Sequence, residues 1–98
     1  MAKLYDEQAV RELKLYEENN SQLYRSSKMP IYQNLDKKKE KGTYDSQKAE
    51  VLFKYHADRT AKSYQKEFYG KKEGYTFSVE TRKQLAKELK KEYEEERS

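Results

Sequence analysis

His56 is the only histidine in this 98-residue chain, and Asp58 stands two places beyond it. An imidazole beside a carboxylate is the usual equipment of a general base. The stretch "FKYHADRTAKSYQKEFYG" has helical spacing, however, and residues two apart on a helix point in different directions. The pair does not converge. A nucleophile for His56 would have to be Ser46, Ser63 or a threonine, and no spacing sets one of them against it. One histidine without any cysteine cannot build an ordinary zinc site. The plainer reading is a histidine at the edge of the core.

Carboxylates abound at Glu17–Glu18, Glu88–Glu92 and Glu94–Glu96. A general acid needs a low-polarity cleft to raise its pKa, and these residues sit in highly charged stretches. "YGKKEGY" sets Gly70 and Gly74 around Lys71 and Lys72, but it lacks the Gly-Lys-Ser/Thr ending and the preceding strand of a phosphate loop. The expectation is a chain that is not an enzyme, with no metal and no cofactor.

Binding has more support. The formal charge is +4 with 41% charged residues, and the excess is local. Residues 28–76 carry twelve bases against seven acids, whereas the two flanking parts are nearly balanced. Lys37, Lys38, Lys39 and Lys41 form the densest basic run, followed by Lys48, Lys54, Arg59, Lys62, Lys66, Lys71 and Lys72. Tyr44, Tyr55, Tyr69 and Tyr75 are interleaved with these cations, and aromatic faces stack on bases. Lysine outnumbers arginine, and the interspersed acids dilute the field. Nucleic-acid binding from such a segment would be weak, sequence-non-specific and strongly salt-dependent.

The ten tyrosines fit a protein interface better. Tyrosine offers large contact area with few rotamers to freeze and a hydroxyl to pair. Tyr32, Tyr44, Tyr55, Tyr69 and Tyr75 lie off the best core stripes, near Lys37, Lys38, Lys39 and Lys41. The leading expectation is therefore an accessory or inhibitor protein docking on a larger protein or nucleoprotein assembly. Small, highly charged, cysteine-free chains of this kind are common among phage and other mobile-element products. Nucleic-acid binding by the basic middle is the second expectation, and a structural helical homo-oligomer the third.

Three amphipathic helices must position these residues. Ala9, Leu13 and Tyr16 continue from Tyr5 at helical steps, predicting a helix over about 6–24 with Asp6 as N-cap, Tyr5 and Val10 as a hydrophobic staple, and a weak point at Asn19 to Ser21. Phe53, Ala57, Ala61, Tyr64 and Phe68 form one stripe of a second helix, about 45–68, capped by Asp45 or Ser46 and stopped before Gly70. Opposite runs Glu50, Lys54, Asp58, Lys62 and Lys66, a ladder of charges four apart. Leu85, Leu89 and Tyr93 define a third helix, about 79–94, started by Ser78 or by a Thr81–Gln84 capping box, with 94–98 a fraying acidic tail. Pro30 disfavours helix at Met29, so residues 26–42 read as a connection with apolar residues lying against the helices.

The fold class is all-α, a small three-helix bundle in one domain, residues 1–98. Leu, Ile, Val and Phe number only fifteen, so the core must be thin and tyrosine must supplement it. No apolar run approaches the roughly 20 residues of a membrane span, and the first twenty residues lack the apolar stretch of a signal peptide. The expectation is no membrane and a cytoplasmic location.

Overall fold

The computed structural model describes residues 7–70 and 73–97. These residues form four helices, with no strand among them. The all-α expectation holds, but the count is four rather than three, because the first predicted helix divides and the predicted connection is itself helical. Helix α1 is Glu7–Glu18. Helix α2 follows almost at once in three continuous stretches, Ser21–Leu23, a π-helical Tyr24–Lys28, and Met29–Lys41. Helix α3 is Ser46–Tyr69, and α4 is Val79–Glu96. Among the described residues no helix is long and apolar enough to cross a membrane.

The weak point at Asn19 to Ser21 is where the chain breaks. Asn20 adopts an extended conformation, and its Oδ1 accepts the Leu23 backbone N–H at 3.0 Å. It thereby caps a new helix instead of continuing the old one. Tyr5 and Asp6, the expected staple and cap of α1, lie outside the described residues.

Pro30 does not end helix α2. Proline removes one N–H from an α-helical ladder and crowds the carbonyl four residues before it. Here the ladder loosens just ahead of it into π spacing, and the Met29 N–H reaches the Tyr24 carbonyl. Such a bulge keeps the helix going while widening one turn. It also suits the sequence: Leu23, Ser27, Ile31 and Leu35, all four apart, are all buried. In a regular α-helix that spacing would drift around the axis. Gly42 closes α2 with φ +74°, a left-handed conformation that costs glycine little, and basic Lys38, Lys39 and Lys41 complement the helix C-terminus.

Helices α3 and α4 form an antiparallel spine. Ser46 donates to Glu94 at 2.8 Å, Lys90 meets Glu50 at 2.9 Å and Arg82 meets Asp58 at 2.9 Å. Eight residues along α3, from Glu50 to Asp58, match eight back along α4, from Lys90 to Arg82, so the register is constant. The expected charge ladder is therefore partly turned inward. Lys54 pairs with Asp58 within α3, but Glu50 and Asp58 also reach across to α4. Asp45 caps α3, accepting N–H bonds from Gln47 and Lys48, and Ser78 caps α4, accepting from Thr81.

The core brings Leu13 of α1 and Ile31 and Leu35 of α2 onto Ala49, Phe53, Ala57 and Ala61 of α3 and Leu85, Ala86, Leu89 and Tyr93 of α4. Tyr93 is wholly buried, with its ring 4.9 Å from that of Tyr32 and 6.1 Å from those of Tyr44 and Phe53. Its hydroxyl donates to Asp36 at 2.7 Å, and the Arg97 Nε–H joins the same carboxylate at 3.0 Å. The segment expected to fray thus stays helical to Glu96, and Arg97 ties its end to α2. The approach to α4 is held by buried Gln65, which donates to the Gly74 carbonyl and accepts the Thr76 N–H. Phe77 packs edge-on against Tyr64.

Phe68 departs from the expected stripe. It is 57% exposed, beyond the start of α4 at Val79, and its ring packs against those of Tyr16 and Tyr64. Phe53→Ala should cost about 3–5 kcal/mol of stability, as a large buried side chain does. Phe68→Ala should cost about 1 kcal/mol or less. Urea unfolding followed by circular dichroism measures both, and similar losses for the two variants would contradict this core.

Candidate functional site

His56 is fully buried and holds two partners far away in sequence. Its Nδ1 lies 2.7 Å from Ser27 Oγ in the π-helical turn of α2, and its Nε2 lies 2.9 Å from Glu17 Oε2 on α1. Arg59, one turn along α3, donates to the same Ser27 oxygen at 2.7 Å, and the Lys28 ammonium lies 3.3 Å from Glu17 Oε2. Asp58 takes no part, as its place on the helix requires. Burial acts to raise the Glu17 pKa, but the hydrogen bond from His56 and the charge of Lys28 outweigh it and hold the carboxyl below its ordinary range.

Serine, histidine and a carboxylate in sequence is the pattern of an activated nucleophile. The spacing of the chain hid it, since Ser27 and Glu17 lie 29 and 39 residues from His56. Its surroundings favour a clamp over a reaction centre. A carboxylate can only accept, so Nε2 carries hydrogen, and Nδ1 can then accept the Ser27 hydroxyl while Oγ accepts from Arg59. Every polar atom of Ser27 and His56 is thereby used. Ser27 is only 3% exposed and His56 is not exposed at all. The cluster joins α1, α2 and α3. One oxygen, Glu17 Oε1, is buried without a hydrogen-bond partner. No group of three or more metal-ligating side chains occurs among the described residues.

The accessible chemistry lies on the adjoining face of α3, which Arg59 shares with the cluster. Lys48, Val51, Tyr55, Arg59, Lys66 and Tyr69 are all exposed and share one stripe of this helix. Beside the stripe, a groove of about 610 Å³ runs between α3 and α4. Gln47, Glu50, Val51, Lys54 and Tyr55 line it from α3, and Lys83, Ala86 and Lys87 from α4. Val51 and Tyr55, one turn apart, are each about half exposed, at 51% and 54%. Lys83 and Lys87, one turn apart on α4, form no ion pair among the described residues, whereas Glu50 is neutralised by Lys90. Past Tyr55 a second depression continues among Tyr55, Asp58, Arg59, Lys62 and Tyr75. There the Tyr75 ring is flanked by the Arg82 guanidinium at 3.6 Å and the Lys62 ammonium at 4.6 Å.

The residues singled out in the sequence fall into separate groups. Tyr55, Tyr69, Lys48, Arg59 and Lys66 share the stripe, and Tyr75 stands beside it. Lys54 and Lys62 border it while engaged with Asp58 and with the Gly74 carbonyl. Tyr32 and Tyr44 are half buried around Tyr93, their hydroxyls given to Glu96 and Glu94. Burial raises the pKa of both. Lys37, Lys38, Lys39 and Lys41 lie at the end of α2, where Lys39 covers the Tyr44 and Tyr93 rings. Lys71 and Lys72 lie outside the described residues. Sequence reasoning missed Val51, Ala86, Lys83 and Lys87, although Val51–Tyr55 and Lys83–Lys87 are both pairs four apart.

In comparisons with known proteins, no family model matches this chain, and neither a curated protein nor a solved structure matches it.

The Glu17 carboxylate gives a pH test. Its folded pKa is depressed, so it contributes stability above the ordinary carboxylate range, and that contribution is lost as pH falls through it. Glu17→Gln keeps an oxygen for the His56 Nε2–H. It should lower stability at pH 7 by about 2 kcal/mol, the worth of a charged buried hydrogen bond. It should also lose less than wild type on acidification. Urea melts at pH 7, 5 and 3.5 measure this, and equal acid sensitivity of the two chains would exclude the depressed carboxylate.

Proposed function

We propose that this chain is a small non-catalytic binding protein that docks on an acidic face of a larger protein or nucleoprotein assembly. The supporting observation is Tyr55. It is half exposed at the junction of two depressions, with Val51 one turn before it and lysines and arginine around it. Exposed tyrosine and aliphatic area in a concave, cation-rimmed surface is the composition of an interface centre, and Tyr at such a centre is a frequent hot spot. The absence of a catalytic role rests on the closed packing of Ser27 and His56.

Nucleic acid is the second reading, favoured by the placement of Lys48, Arg59 and Lys66 on one stripe with Tyr55 and Tyr69. The exposed aliphatic side chain of the groove, Val51 beside the Tyr55 ring, favours protein. A photo-reactive aromatic residue at position 55, compared with one at exposed position 33 on α2, separates the two in the native host. The expected product is a protein adduct from position 55 and none of the same mass from position 33. A nucleic-acid adduct, or the same pattern from both positions, would overturn the reading. Against the captured protein, Tyr55→Ala should weaken binding about 30-fold, corresponding to roughly 2 kcal/mol at a hot spot.

A further inference from the structure

We infer that the groove between α3 and α4 receives one acidic amphipathic helix of the partner, an assignment that rests on this groove being the docking face. The first reason is geometric. From Gln47 to Tyr55 the α3 wall is nine residues long, roughly 12 Å end to end at helical rise, which matches about two turns of a helix laid alongside. Its exposed apolar side chains, Val51 and Tyr55, stand one turn apart, and the facing wall is cut back at Ala86. An occupant with apolar side chains three or four residues apart, repeated over two turns, matches that spacing.

The second reason is backbone hydrogen bonding. An extended peptide that adds to a protein does so on an open sheet edge, where its N–H and C=O groups find partners. No strand exists among the described residues. A helix brings its backbone hydrogen bonds with it and needs only side-chain contact.

The third reason is charge, and it is one-sided. Lys83 and Lys87 form a ridge along the α4 wall, exposed and without ion pairs among the described residues. Like charges one turn apart on a helix repel each other, so the ridge gains when acids approach it. On the α3 wall Glu50 and Lys54 are already satisfied by Lys90 and Asp58. The occupant therefore carries Asp or Glu at four-residue spacing on the flank facing α4, and an apolar seam facing Val51, Tyr55 and Ala86.

The probes are three synthetic peptides of equal length: a helix with a leucine seam and a glutamate flank, the same seam with a lysine flank, and a scramble of the first. Each is titrated into the isotopically labelled full chain at near-physiological salt, with amide chemical shifts as the readout. The glutamate peptide should bind at least 10-fold tighter than the other two and shift amides at 47–55 and 83–87. Charge reversal of the ridge, Lys83→Glu with Lys87→Glu, should invert the preference between glutamate and lysine flanks. Both positions are exposed, and retained peak dispersion shows that the variant is folded. The inference is overturned if the glutamate peptide binds no better than the others, or if the shifts lie elsewhere. It is also overturned if the same amides shift on concentration alone, which would assign the groove to a second copy of the chain, or more strongly with an oligonucleotide. If the peptides fail while position 55 still captures a protein, the helical occupant is wrong and the docking face stands. If that capture fails too, both are wrong.

Discussion

Between Ala49 and Gln65, helix α3 is enclosed on every side but one, and the rest of the molecule follows from that enclosure. Small residues at 49, 57 and 61 let α4 approach closely, and Phe53 fills the space between them. On a second side His56 and Thr60 are buried toward α1 and α2. Over residues 49–65 the apolar, alanine and buried polar positions cover so much of the helix circumference that only Val51, Tyr55 and Arg59, on one stripe, are left exposed. In a chain so poor in aliphatics, exposing Val51 and Tyr55 on that stripe spends area the core could have used. Scattered exposed apolar residues are ordinary, but two in register on a concave wall are a surface feature.

The second constraint is the buried cluster of Glu17, His56 and Ser27, into which Arg59 reaches from the exposed stripe. Ion pairs of this kind return little net stability compared with a well-packed apolar replacement, but breaking one leaves a charge stranded. What the cluster supplies is register. His56 can satisfy Glu17 and Ser27 together only when α1, the π-helical turn of α2 and α3 meet at one relative height. The wide turn before Pro30 is part of the same arrangement, since Ser27 lies in it and is turned inward. The spine and this clamp together hold α3 between its neighbours while its outer stripe stays half exposed at Val51 and Tyr55.

Much of this was legible in the sequence. The core face of α3 from Phe53 to Ala61, the glycine stop at Gly70, and Asp45 and Ser78, each one of two cap candidates, are all local patterns, and these stand as read. The helix over 26–42 was not legible, because Pro30 reads as a boundary and the π turn that accommodates it has no local signature. Leu23, Ser27, Ile31 and Leu35 did carry a spacing of four, but a serine interrupts the apolar reading. The partners of His56 were hidden by distance along the chain. Phe68 was misplaced because periodicity assigns a face and says nothing about how far the neighbouring helices extend. The groove was half legible: Tyr55 and its neighbouring lysines stood out, whereas Val51 was overshadowed by the stronger stripe two residues away.

The central claim is that the α3 stripe and its groove, and not the basic run at the end of α2, form the surface that a partner covers. Lysine acylation footprinting tests it most directly, comparing the purified chain with the chain incubated in native host extract. The account predicts slowed modification of Lys48, Lys83 and Lys87 in the extract, with the exposed Lys37 and Lys41 unchanged. Protection centred on Lys37 and Lys41, or no protection at any of these lysines, would contradict it.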